Sequence, residues 1–314
     1  MPSSADAIAL IGLDWGSTHL RAFALDAAGN VLAVRRSEAG ALTLSGEAQF
    51  NAALEAIAGD WVRAAPRAPL LACGMVGARA GWREAAYVPC GSAATRAPAL
   101  AAATLRVATA LGPTLHIVPG MASAEPDVMR GEETLLLGAD IDTGVVVLPG
   151  THSKWVQLRD GGIERFSTFC TGEMNALIRA HGAVGQSLFD ATTQQRVAPD
   201  LADRAAFARG IALARDARQG WLHELFVLRA SVVTGVASPA AVSTMLGGWL
   251  LGSEFVAALT AYPRCQSITL ISGATLAPWY EATAHAFGLP CTVLDADPLA
   301  ARGLWQIGRR LTHS

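Results

Sequence analysis

The sequence predicts an α/β protein with internal duplication, and three observations lead there. A strand–turn–strand device occurs twice, first from Ile11 to Arg21 (IGLDWGSTHLR) and again from Val147 to Trp155 (VLPGTHSKW). Each copy is an apolar strand entering a glycine and a short polar turn. Each then continues through a second strand, a Gly-containing reverse turn (Asp26 to Asn30, Asp160 to Gly162) and a third strand. The order strands, helix, strand, helix, strand follows both copies. A length of 314 residues suits two medium domains. The boundary is expected in the stretch Gly120 to Ala139, giving units of 1–120 and 121–314, with the last helix crossing back to the first.

The elements follow from local pattern. Ala7 to Arg36 reads as three short antiparallel strands. Phe50, Leu54, Ile57 and Trp61 recur at helical spacing in Ala48 to Ala65, before Pro66. Pro69 to Met75 is a buried strand opening into a glycine-rich loop, and Ala97 to Leu111 is expected as a helix. Leu115 to Val118 is a strand closed by Pro119-Gly120. Glu132 to Ala139 is a helix with acids in its first turn, where the dipole favours them. The second three-stranded device spans Val145 to Phe169, and Thr171 to His181 is a helix. Pro199 to Leu228 is mostly helical, Ser243 to Ala261 is a helix, and Ser267 to Ser272 is a strand. Leu276 to Phe287 is a helix and Cys291 to Leu294 a strand. Asp297 and Pro298 are expected to cap a final amphipathic helix reaching Leu311.

Composition narrows function. There are 24 basic and 26 acidic residues, a formal charge of −2, and no block of like charge, which argues against nucleic acid as partner. The five cysteines form no C-x-x-C pair and are expected as free thiols in a reducing cytoplasm. Met-Pro-Ser-Ser-Ala-Asp lacks the features of a secretory leader. The most membrane-like stretch, Val242 to Tyr262, contains Glu254, two serines and three glycines, so a buried, closely packed helix is expected there and not a span.

Five places could carry chemistry, and each has a structural alternative. Asp14 ends the first strand beside Gly16, Ser17 and Thr18. A carboxylate there could hold Mg²⁺ while the turn's N–H groups cradle an anion; a hairpin turn with Asp14 bonding local backbone is the alternative. Gly150, Thr151, His152 and Ser153 repeat the turn, and Lys154 either follows phosphates as a point charge or points to solvent. Glu132 and Glu133 open a helix, as general base or as dipole compensation. Ile268 to Ala274 is a buried strand ending in Ser272, Gly273 and Ala274, small enough for a flat ring to lie on backbone or for a plain strand-to-helix turn. The loop from Cys73 to Pro89 holds Arg79, Trp82, Arg83, Glu84 and Tyr87. There an arginine fork could meet a carboxylate and Trp82 could wall a sugar-like chain. Walker, Rossmann and zinc-protease motifs are missing from the sequence.

The two turns and the Ser-Gly-Ala strand end resemble the phosphate-1, phosphate-2 and adenosine motifs of the actin-like ATPase superfamily. More closely, LDWGST, GMVGARAGWREAAYVPC, DVMRGEET and LPGTHSKW resemble the 2-dehydro-3-deoxygalactonokinase family, over nearly the whole chain. The resemblance implies two RNase-H-like lobes with a nucleotide cleft between them, ATP with Mg²⁺, and transfer of phosphate to the 6-hydroxyl of 2-dehydro-3-deoxy-D-galactonate in galactonate breakdown. It places Asp14 at the metal, with Gly16–Thr18, Gly150–Lys154, Gly273 and Ala274 on ATP. Arg79, Trp82, Arg83, Glu84 and Tyr87 would meet the sugar acid. The analogous acidic helix start of exopolyphosphatases ranks Glu133 first as base, then Glu132, then Asp127. Two departures are visible: Ala274 stands where a double glycine is usual, and Asn175 where a larger apolar residue is common. Rival expectations are an exopolyphosphatase-like hydrolase and a non-enzymatic ATP sensor. The expected partners are small molecules, with no membrane and no nucleic acid; a homodimer is the assembly considered.

Overall fold

The computed structural model describes residues 8–91, 95–190, 195–216 and 219–311; the N-terminal residues examined for a leader lie outside them. The chain divides into two compact units. Unit 1 comprises Met1–Thr143, Val156–Phe166 and Asp295–Ser314, and unit 2 comprises Gly144–Trp155 and Ser167–Leu294. Compared with the expected change after residue 120, the first crossing is at 143/144.

Unit 1 contains β1 (Leu10–Trp15), β2 (Leu20–Leu25), β3 (Val31–Ser37), α1 (Gly46–Ala64) and β4 (Leu70–Gly74), followed by a single 3₁₀ turn, Met75–Gly77. Then come β5 (Tyr87–Pro89), α2 (Ala97–Ala102), β6 (Leu105–Val107), β7 (Leu115–Ile117), β8 (Gly120–Ala122), β9 (Val128–Met129) and α3 (Glu132–Ala139). The main sheet has the order β3-β2-β1-β4-β7-β6. β1 pairs antiparallel with β2 and parallel with β4, which is itself parallel to β7. Central β1 and β4 are apolar on both faces because both faces are covered, whereas edge strand β3 leaves Val31, Leu32 and Val34 partly in water. Trp15, Phe50 and Trp82 form the aromatic centre of this core.

The helix expected over 97–111 stops at Ala102. Thr104 Oγ1 donates to the Ala101 carbonyl (2.9 Å), the chain turns, and Leu105–Val107 pair antiparallel with β7. Pairing along the open sheet edge satisfies backbone groups and buries Val107, which outweighs the helix propensity of an alanine-rich stretch. Gly120, expected to close β7, instead begins β8 of a small β5-β8-β9 sheet.

The second half contains β10 (Gly144–Leu148), β11 (Ser153–Arg159), β12 (Gly162–Phe169), α4 (Thr171–His181), α5 (Ala183–Ser187), β13 (Phe189–Asp190) and β14 (Gln195–Arg196). It continues with α6 (Arg204–Asp216), α7 (Trp221–Val233), α8 (Pro239–Ala261), β15 (Ile268–Ile271), α9 (Ala277–Ala286), β16 (Cys291–Leu294) and α10 (Ala296–Gly308). The sheet order β12-β11-β10-β15-β16, with β10, β15 and β16 parallel, repeats the β3-β2-β1-β4-β7 order of unit 1. The duplication seen in two turns thus extends to whole sheets. α8 is long and apolar enough to cross a membrane by length and composition, but 72% of its most apolar window is buried. Glycines bring it against α6: a Cβ on Gly210 would overlap the Met245 carbonyl, and one on Gly248 the Phe207 carbonyl. α10 is capped by Asp295, whose carboxylate accepts from the Asp297 N–H (3.1 Å), and not by Asp297 as expected. Asp297 is instead paired with Arg21 and Arg36.

Candidate functional site

In unit 1, β1 delivers Asp14 to the mouth of an open cavity of about 420 Å³, lined also by Gly16, Ser17, Thr18, Arg21, Arg36 and Asp297. The turn is braced from behind: the Ala41 and Leu42 N–H groups donate to the Gly16 and Ser17 carbonyls (2.8 and 3.0 Å). Gly40 packs so close that a Cβ would overlap the Thr18 backbone. Asp14 Oδ2 accepts from Arg21, which also holds Asp297. Asp14 Oδ1 lies 3.9 Å from the buried Cys73 thiol. Burial, then the charges of Asp14 and Glu133, push that thiol well above its ordinary range. Cys73 therefore sits within the field of two acids that the sequence places far apart.

Glu133 reaches this region because α3 starts close to the end of β4. A Cβ on Gly131 would stand 3.3 Å from the Gly74 Cα, and both glycines have positive φ. Glu133 is fully buried; it accepts from the Gly131 N–H (2.7 Å) and the Thr134 hydroxyl (3.1 Å). Burial, then the charge of Glu132, raises its pKa to about 7. Glu132 bends back to accept from the Arg130 N–H (2.9 Å), and Asp127 accepts from the Val128 N–H (2.7 Å). Both glutamates thus do what the structural alternative requires at a helix start, and Glu133 is also poised near neutrality.

The loop between β4 and β5 departs from expectation. Trp82 does not wall a ligand site: it is 4% exposed and stacks on Phe50 with centroids 5.5 Å apart, because the Trp82 and Ala85 N–H groups tie the loop to Val76 and Gly77. Arg83 is paired with Glu47 (2.6 Å), and Arg79 lies on the surface 3.5 Å from Glu84. Tyr87 is 42% exposed and lies against the Arg130 guanidinium, 4.4 Å from ring centroid to charge.

In unit 2 the repeated turn is half open. Thr151 and His152 are exposed, and His152 Nε2 is 2.9 Å from a Glu173 carboxylate oxygen. Ser153 and Lys154, expected on phosphates, point elsewhere. Ser153 is buried and donates to Glu254 (2.8 Å), and buried Lys154 donates to Thr168 Oγ1 (2.8 Å). Ser153 and Lys154 are neighbours on β11 and so point to opposite faces of the strand, and both are buried because both faces are covered there. Glu254 collects four donors: Ser153 and the Trp155 indole (both 2.8 Å) on one oxygen, Thr171 and Tyr280 (3.0 Å for Tyr280) on the other. The turn also seats on α4, where the Glu173 N–H donates to the Thr151 carbonyl (2.9 Å) and a Cβ on Gly172 would overlap the Gly150 carbonyl.

From Gly150 a mostly apolar cavity of about 180 Å³ runs past Asn175, Arg179, Leu250, Leu276, Trp279 and Tyr280. Asn175 Oδ1 accepts from Arg179 Nε (2.8 Å). Gly273 has open space around it, and Leu276, three residues on, reaches the cavity wall. The residues that sequence reasoning missed are Cys73, Arg130, Arg179, Glu254 and Trp279. Glu254 alone had a visible signal, as the one acid in an apolar helix.

The model of the family described as 2-keto-3-deoxy-galactonokinase matches residues 14–307. The 2-dehydro-3-deoxygalactonokinase of Escherichia coli (strain K12) is 33% identical, covering 96% of this chain and 98% of the relative. A crystal structure from Sinorhizobium meliloti, described under the same kinase name, superposes with a TM-score of 0.82 at 32% identity over 96% of each chain. At 12% identity, the activator of the 2-hydroxyisocaproyl-CoA dehydratase from Clostridium difficile covers 97% of this chain with a TM-score of 0.50 and 96% of its own; that likeness concerns the fold alone. The match takes in Asp14, both turns, the α3 start and α10, and the chain belongs to the 2-keto-3-deoxy-galactonokinase family.

Proposed function

We propose that this kinase transfers the γ-phosphoryl group of ATP to the 6-hydroxyl of 2-dehydro-3-deoxy-D-galactonate, giving the 6-phosphate for galactonate breakdown. The observation that carries the reading is family membership across residues 14–307. Unit 2 supplies nucleotide binding. The apolar cavity beside Trp279 and Leu276 takes the base, and the exposed residues Thr151 and His152 meet phosphate oxygens. Gly273 and Ala274 leave the approach to that cavity free of bulk.

Unit 1 supplies the base. Glu133, ionised above about pH 7, accepts the proton of the 6-hydroxyl as its oxygen attacks phosphorus and ADP leaves. Catalysis of this kind is mostly positioning and charge stabilisation. Asp14 fits Mg²⁺, because it is a hard oxygen donor with one oxygen not engaged by Arg21. Such an ion, when bound, offsets phosphate charge. Arg21 holds Asp14 in one rotamer, and the braced Gly16–Thr18 turn offers N–H groups to an anion. The five cysteines are all free thiols, consistent with a reducing cytoplasm.

A coupled ADP-release assay with ATP and a panel of 2-keto-3-deoxy sugar acids tests the reading. Turnover should require the acid and be fastest with the galactonate-derived one. ATP turnover indifferent to any acid, or hydrolysis of polyphosphate in its place, would sink it.

A further inference from the structure

Arg130 is the charged side chain in unit 1 whose surroundings call for a ligand. Its Nε and Nη1 atoms are buried and have no hydrogen-bond partner among the described residues. Nη2 donates to the Ala85 carbonyl (2.8 Å), and the face of the guanidinium lies on the Tyr87 ring. The fit around it is tight. A Cβ on Gly77 would come within 2.9 Å of Nη1, and a Cβ on Gly120 within 2.6 Å of the Tyr87 ring. The group is thus held flat and oriented, yet two of its nitrogens lack an acceptor. Buried guanidinium donors in that condition are unfavourable unless an anion or water meets them.

The other two arginines of the region are engaged elsewhere, Arg83 on Glu47 and Arg79 at the surface beside Glu84. Arg130 is also next in sequence to Gly131, whose N–H holds the Glu133 carboxylate and whose backbone packs at Gly74. A ligand held by Arg130 is therefore held beside the candidate base.

We infer that Arg130 is a carboxylate-binding site, taking one oxygen of the substrate's C1 acid group on its Nε donor, while Nη1 faces the opposite edge of the guanidinium. Planar guanidinium donors recognise a carboxylate with fixed geometry, which the Tyr87 stack and the two glycines pre-set. The identity of the acid rests on the function proposed above; the class of ligand, a carboxylate, rests on Arg130 alone.

Calorimetric binding of 2-dehydro-3-deoxy-galactonate and of its neutral carboxamide, to wild type, Arg130→Met and Arg130→Lys, separates the possibilities. Wild type should prefer the acid by roughly 10- to 100-fold, the size of a charge-assisted hydrogen bond. Arg130→Met should bind both forms alike, and Arg130→Lys should fall between, keeping charge without the fixed Nε donor. ATP affinity and melting temperature serve as controls for folding. Should Arg130→Met not fold, the Arg130→Lys ratio decides on its own, and an undiminished preference there overturns the site. A preference that survives in Arg130→Met, or that disappears in Arg79→Ala or Arg83→Ala, also overturns it and leaves water as the occupant of the Arg130 donors. Acid binding without phosphate transfer would remove the kinase reading and leave the site standing. Transfer with the preference intact in Arg130→Met would do the reverse, and a wild type that binds neither form removes both.

Discussion

At the scale of single residues, Glu133 shows how burial converts a helix-start acid into a candidate base. Desolvation comes first and the neighbouring Glu132 second in lifting its pKa to about 7, while the Gly131 and Thr134 donors pull it down. A general base works best when its pKa lies near the working pH. kcat/KM should therefore rise with pH and level off above about 7, and Glu133→Gln should lower kcat by roughly 10²- to 10⁴-fold and remove that limb. An acid limb still near 7 in Glu133→Gln would move the role to Glu132 or Asp127. The same shift bears on stability. A carboxyl raised in the folded state favours folding below its unfolded pKa, near 4.5, and that contribution is lost as pH rises through about 7. Glu133→Gln should thus match wild type at pH 4 and exceed it at pH 8, by up to about 3 kcal/mol in denaturant melts. No gap at pH 8 would mean that Glu133 is not buried as an acid.

At the scale of elements, the turn before β11 is as rigid as its support, and Glu254 supplies much of that support. An ionised carboxylate is acceptor-only with room for about four donors, and four donors are what it receives, from β11, α4 and α9. Burial still leaves its pKa raised, with the four hydrogen bonds opposing. Glu254→Gln can keep Ser153 and Trp155 on its oxygen and turn the Thr171 and Tyr280 hydroxyls into acceptors, so the fold should survive with ATP affinity reduced roughly tenfold. Glu254→Leu strands the Trp155 N–H and should cost about 1–3 kcal/mol or more in melts, with a larger loss of ATP affinity. ATP affinity unchanged in both variants would make the network plain core. These contacts mark where sequence reasoning stops. Helices α3 and α4 and strand β16 were legible to the residue, because caps and periodicity are local signals. The Ser153–Glu254 bond spans 101 positions, and no local pattern encodes it. Trp82 failed for a related reason: a tryptophan in a glycine-rich loop reads alike whether the ring enters core or meets solvent. The edge strand β6 was hidden because pairing with β7 outweighs the preferences of Leu105–Val107.

At the scale of the whole molecule, the chain's last helix is a structural part of the unit in which the chain begins. α10 returns to unit 1 at Asp295 and packs against α3 through two glycines: a Cβ on Gly138 would overlap the Leu299 carbonyl, and one on Gly303 the Thr134 carbonyl. Gly12 and Gly308 bring the same helix onto β1, against Leu304 and Leu10. α10 therefore backs both the strand that presents Asp14 and the helix that presents Glu133. Gly303 has ordinary φ, so alanine there is a purely steric probe. The added methyl has backbone as its neighbour, which cannot rotate away, and the helices must part. Overpacking of this kind costs about 1–3 kcal/mol. Because Thr134 both receives the clash and donates to Glu133, the damage should reach the base. Gly303→Ala should lower the melting temperature, lower kcat more than the KM for ATP, and speed hydrogen exchange of α3 amides while the β15 and α9 amides of unit 2 keep their protection. Equal loss of protection in both units would mean that α10 stabilises the chain globally and has no particular hold on α3. A lower melting temperature with kcat intact would detach Glu133 from the helix packing that places it.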